Sequence, residues 1–166
     1  MSSKPEVTVK EWELIRRIFT AFRGVTLEDG VGLKQAEGMD NYGSPEQLAK
    51  LRHQDETENW ERLSTDTLNE CSSALSFFDA GGMRYHLPAY LIAALIGELE
   101  IELMIPLTDL HDFGLDRFSL LNTQQRAVVR DFLERCLVDS DEFFRPSLSL
   151  ALSRYWRSPT HVRCEQ

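Results

Sequence analysis

The sequence predicts an all-α protein, a compact single-domain helical bundle of about six helices with irregular connections. Three observations carry that expectation. Apolar residues recur at three- and four-residue steps, helix-start signatures stand in front of them, and no run of apolar–polar alternation is convincing. At 166 residues the chain fits one domain, taken as 1–166, with 1–7 and 158–166 frayed.

The first helix is announced by Thr8 and Glu11, a capping box in which each side chain satisfies a free backbone N–H of the other. Trp12, Ile15, Ile18, Phe19 and Phe22 follow at helical spacing, and Gly24 suits a left-handed stop. Residues 24–43 hold five glycines with Asp29, Asp40 and Asn41, a composition that reads as a long loop. Ser44, Pro45 and Gln47 restart a helix carrying Leu48 and Leu51. Trp60 and Leu63 form an anchoring turn. Ser64 or Thr65 then caps a helix with Leu68, Cys71, Leu75 and Phe78 on one stripe.

Asp79-Ala80-Gly81-Gly82 reads as a break, Met83–Leu87 as extended, and Pro88 as the opening of a central buried helix that Pro106 ends. The stretch 107–121 reads as irregular with one helical turn. Asn122 and Gln125 box the next helix, with Val128, Val129, Phe132, Leu133, Cys136 and Leu137 inward. The last helix carries Phe144, Leu148, Ala151, Leu152, Tyr155 and Trp156.

Charge narrows the partners. With 18 basic and 27 acidic residues the net charge is −9, a field that repels nucleic-acid phosphate and anionic lipid and attracts basic proteins. The N-terminus lacks the apolar stretch of a signal peptide. The longest apolar run, Leu87–Ile96, is about half the ~20 residues a membrane span needs, so a cytoplasmic location is expected. Cys71, Cys136 and Cys164 are too few and too separated for a disulfide framework, and the first two fall on apolar stripes.

Motifs for chemistry are missing. There is no nucleophile elbow, phosphate loop, zinc motif or calcium loop, and no cofactor is expected. Asp109, His111, Asp112 and Asp116 are the nearest thing to a metal cluster, but the ligand set is incomplete, so no metal is assigned. From Gly97 to Asp116 there are six acids, Glu98, Glu100, Glu102, Asp109, Asp112 and Asp116, and no Lys or Arg. A second acidic block spans Asp55, Glu56, Glu58 and Glu61, whereas Arg145, Arg154, Arg157 and Arg163 gather near the C-terminus.

The block Leu75-Ser76-Phe77-Phe78-Asp79-Ala80-Gly81-Gly82-Met83-Arg84-Tyr85-His86-Leu87-Pro88-Ala89-Tyr90 resembles one in small uncharacterised bacterial proteins. Leu121 to Arg126 resembles their second recurring element, and the likeness runs from about Trp60 to Phe132. The resemblance implies bacterial origin and a fold type, and no activity.

The function expected on these grounds is a non-enzymatic acidic protein-binding protein, of the bacterial immunity or antitoxin type, that neutralises a basic toxin by occlusion. Its partner-binding residues would be Glu98, Glu100, Glu102, Asp109, Asp112 and Asp116. The alternative is a small enzyme or anion-binding module using Asp79, Arg84, His86 and Tyr90, with Arg84 reading an anion.

Overall fold

The computed structural model describes residues 3–158, and among them there is no strand. Nine helical segments follow in order: α1 (Val9–Ala21), α2 (Leu33–Asp40), α3 (Pro45–Gln54), α4 (Thr65–Glu70), α5 (Ala80–Leu95), α6 (Met104–Thr108), α7 (Asp112–Asp116), α8 (Thr123–Asp139) and α9 (Arg145–Ala151). Tight 3₁₀ turns at Trp60–Arg62 and Ala74–Ser76 join them, and a wider π-type turn, Leu152–Trp156, continues α9. The segments are shorter and more numerous than the sequence suggests. Five-residue helices leave no periodic pattern to read.

Helix α5 is the hub. Ten of its 16 residues are buried, on every side of the helix, which marks a helix surrounded by others. Helix α1 packs on α5 and α8, α2 on α3, α6 on α9, and α8 on the turn after α9. Two indoles tie distant segments into this core. Trp60 Nε1 donates to Phe22 O and Trp156 Nε1 to Leu107 O, both at 2.9 Å.

The three predicted capping boxes, at Thr8/Glu11, Ser44/Gln47 and Asn122/Gln125, all form. The apolar stripes need more correction. In α1 the buried face is Glu11, Leu14, Ile15 and Ile18, continued by Phe22. Trp12 is half exposed, and Phe19 lies at the rim, 5.3 Å from the Trp60 ring. The predicted stripe through Leu68, Cys71, Leu75 and Phe78 is buried as expected. It is nevertheless broken between α4 and a 3₁₀ turn rather than carried by one helix.

Residues 24–43 are not a long loop. Gly32 N–H donates to the Gln35 side chain, and Asp55 accepts from Lys34 N and Gln35 N at 2.7 and 3.2 Å. A carboxylate from another segment thus satisfies the free N–H groups that start α2. Gly38 lies inside that helix because a Cβ there would come 2.4 Å from the Leu51 side chain of α3. The glycines therefore record close packing.

The glycine pair at 81–82 does not break a helix either. Asp79 is the N-cap of α5, accepting from Gly82 N at 2.8 Å, and the helix runs on through Pro88. Pro88 sits inside, not at the start, so the Arg84 carbonyl loses its helical donor. The helix ends at Gly97, whose φ of +72° is the left-handed stop, and not at Pro106, which lies within α6. The predicted frayed N-terminus is partly docked: Lys4 Nζ lies 2.6 Å from the Glu98 carboxylate. The predicted frayed tail lies outside the described residues from 159 on.

Candidate functional site

The six residues after the stop at Gly97 run beside a groove, and Leu99, Ile101, Glu102 and Leu103 line it. Residues 98–103 read Glu-Leu-Glu-Ile-Glu-Leu. This is an alternating run, and it lies between α5 and α6, outside any helix. Alternation throws neighbours to opposite sides. Leu99 and Ile101 are half buried and Leu103 is buried, while Glu98, Glu100 and Glu102 are exposed. Asn69 holds the run in place, its amide donating to Glu98 O at 3.0 Å and accepting from Glu100 N at 2.9 Å. Glu102 then accepts from Met104 N at 2.6 Å and starts α6.

Opposite stand the last turns of α8 and the start of α9. Arg135 lies 2.8 Å from the Glu11 carboxylate and also pairs with Asp139, so it fastens the first turn of α1 to the end of α8. The amide of Thr8 and then Arg135 hold the Glu11 carboxyl below its usual range, and the Asp139 bond raises Arg135. Asp141 accepts from Phe143 N and Phe144 N, both at 3.1 Å, and turns the chain into α9.

Between these walls and the N-terminal arm lies a groove of about 560 Å³. That is within the usual range of ligand sites. Its walls are largely apolar: Leu99, Ile101, Met104, Phe132, Phe144 and Leu148. Its titratable lining holds five carboxylates, Glu6, Glu11, Glu102, Asp139 and Asp141, against one guanidinium, Arg135. Cys136 also lines it, with its thiol pushed up to about 11 by burial. It is therefore protonated and a poor nucleophile at neutral pH.

Of the six acids predicted to bind a partner, Glu98, Glu100 and Glu102 share the outward side of one run. Only Glu102 also reaches the groove. Asp112 and Asp116 are exposed in α7 at helical i,i+4 spacing, which puts them on one face. Asp109 turns inward instead. Its carboxylate accepts from His111 N and the His111 ring at 3.0 and 2.8 Å and faces buried Arg117 at 3.7 Å. Arg117 donates to Leu75 O at 2.8 Å, so Asp109 is the counter-charge of a buried cation. Asp109→Ala is expected to cost about 2–4 kcal/mol, since it strands that guanidinium. A denaturant titration checks this, and a midpoint unchanged from wild type would refute it.

The alternative set does not share one opening. Asp79 is occupied by two backbone donors, Gly82 N and Val31 N, at 2.8 and 2.9 Å. Arg84 faces Glu28 at 3.7 Å and not Asp79. His86 and Tyr90 are fully buried, the first stacked on Phe78 with ring centroids 4.3 Å apart. Among the described residues no group of three or more Asp, Glu, His or Cys side chains is placed to hold a metal ion.

The groove itself escaped sequence reasoning. Its walls come from three separated stretches, residues 5–11, 94–104 and 132–148. The alternating run at 98–103 was its one local signal, too brief to read as a strand.

The fold and groove define an all-helical protein with a largely apolar, acid-rimmed cleft. Residues 10–160 match a family of unknown function, DUF6714, and the chain belongs to that family. No curated protein and no solved structure matches it. No helix among the described residues is long and apolar enough to cross a membrane.

Proposed function

We propose that this protein binds a basic protein partner without catalysing a reaction on it, and occludes the partner's cationic surface with its own acidic one. The observation that carries the reading is the placement of Glu98, Glu100 and Glu102 along one outward side of the 98–103 run, with Asp112 exposed nearby in sequence. The net charge of −9 extends the same field over longer range. Charges so placed raise the encounter rate with a cationic partner and disfavour acidic ones. A bacterial immunity or antitoxin role, exerted in the cytoplasm, is the specific form of this reading.

The alternative, an enzyme or anion site at Asp79–Tyr90, is less well supported, because Asp79 is engaged in capping and His86 and Tyr90 face the interior.

The test is capture from native cells at low salt, followed by identification of the retained protein. A basic partner is expected, released by about 0.5 M NaCl as screening shortens the reach of the field. The Glu100→Lys/Asp112→Lys variant is expected to lose it while keeping the wild-type melting temperature, with Glu98 left intact because it pairs with Lys4. Asp109 is left intact because it supports Arg117. Equal retention by the variant would remove the proposal.

A further inference from the structure

The groove between the N-terminal arm, the end of α5, and the α8–α9 corner is assigned by nothing in the charge pattern. Its walls are largely apolar. Three residues that adjoin lining residues in sequence are large, apolar and uncovered: Ile105 is 61% exposed, Val138 74% and Phe143 79%. Phe143 packs edge-on against Phe144, a wall residue, with centroids 4.9 Å apart. An exposed large apolar side chain packed on a cleft wall, as Phe143 is on Phe144, extends the apolar surface a partner can cover. Charge then selects the occupant. The lining carries five carboxylates against one cation, and Arg135 pairs with two of them, Glu11 and Asp139, leaving Glu6, Glu102 and Asp141 outside that pairing.

We infer that this groove seats an amphipathic basic segment of a partner protein, with apolar side chains against Leu99, Met104 and Phe144 and a lysine or arginine reaching Glu102 and Asp141. Lysine and arginine suit such a site because their methylene stems lie on apolar surface while the charged head meets the rim. The inference rests on the proposed function and adds where the partner is anchored. Two regions then do different work. The outward acids at Glu98, Glu100 and Asp112 steer the approach and set the association rate. The groove holds the bound segment and sets the dissociation rate.

The probe is a synthetic helical peptide of leucine and lysine, with a lysine–serine peptide of equal charge as control. Surface plasmon resonance separates the two rates. The leucine–lysine peptide is expected to bind and the control to bind at least about tenfold more weakly. Ala94→Phe fills the groove from α5, and Glu102→Gln/Asp141→Asn removes rim charge while keeping both backbone acceptors. Each is expected to speed dissociation about tenfold with little change in association. Should Ala94→Phe fail to fold, the second variant decides alone.

Glu100→Lys/Asp112→Lys is expected to slow association and spare dissociation. Equal binding of both peptides, or unchanged dissociation in the folded groove variants, overturns the anchor and leaves the proposed function standing. Groove variants that matter alongside unchanged association in Glu100→Lys/Asp112→Lys support the anchor and remove the steering face.

Discussion

Between pH 6.5 and about 4 the protein is expected to lose about 3 kcal/mol of stability through His86 alone. The imidazole is fully buried, stacked on Phe78 and edge-on to Tyr85. Burial, with a smaller contribution from Arg52, lowers its pKa from 6.5 to about 4, while the Gly82 carbonyl and Asp79 oppose the drop. The folded state therefore keeps the ring neutral through a pH range in which the unfolded chain binds a proton. Stability is intact above 6.5 and falls as pH drops toward 4. The neutral ring lies 2.7 Å from Gly82 O through Nδ1, which is the donor if that nitrogen carries the proton. Urea midpoints measured across this range check the slope. His86→Phe keeps an aromatic ring against Phe78 and is expected to flatten it; a variant with the wild-type slope would show that other groups cause the loss.

Gly82→Ala is expected to destabilise the protein by about 2–4 kcal/mol, although alanine is the better helix former by about 1 kcal/mol. A Cβ at position 82 would lie 2.6 Å from the Val31 carbonyl oxygen and 3.0 Å from the Phe78 ring. The mirror problem occurs at Gly30, whose Cβ would come 2.7 Å from both Gly81 C and Gly82 N. Here backbone lies directly on backbone, and no side chain can swing aside. Asp79 depends on the same approach, since its carboxylate accepts from Val31 N as well as Gly82 N. The clash should thus outweigh the gain in helix propensity. Chemical denaturation of Gly82→Ala decides it, and equal or greater stability would mean that the 24–31 segment yields easily.

Three helix starts were legible because a capping box is local chemistry, complete within four residues. Thr8/Glu11, Ser44/Gln47 and Asn122/Gln125 needed no knowledge of the rest of the chain. The glycines were not legible, because flexibility and close packing demand the same residue. Gly32, Gly38 and Gly82 look like loop composition until Asp55, Leu51 and Val31 are seen against them. The same holds for Asp109. In sequence it is one more acid in an acidic stretch, and only tertiary structure brings Arg117 to it. The acidic strip at 98–102 was found from composition, whereas the groove beside it needed α1, α8 and α9 assembled.

Six of the nine helices have ten residues or fewer. Peptides of that size scarcely populate helix in water, because nucleation outweighs the few hydrogen bonds gained. Most of this backbone order is therefore on loan from the surrounding contacts. Once the hub around α5 opens, the short segments have nothing to keep them wound, and far-ultraviolet dichroism and tryptophan emission should collapse together as one event.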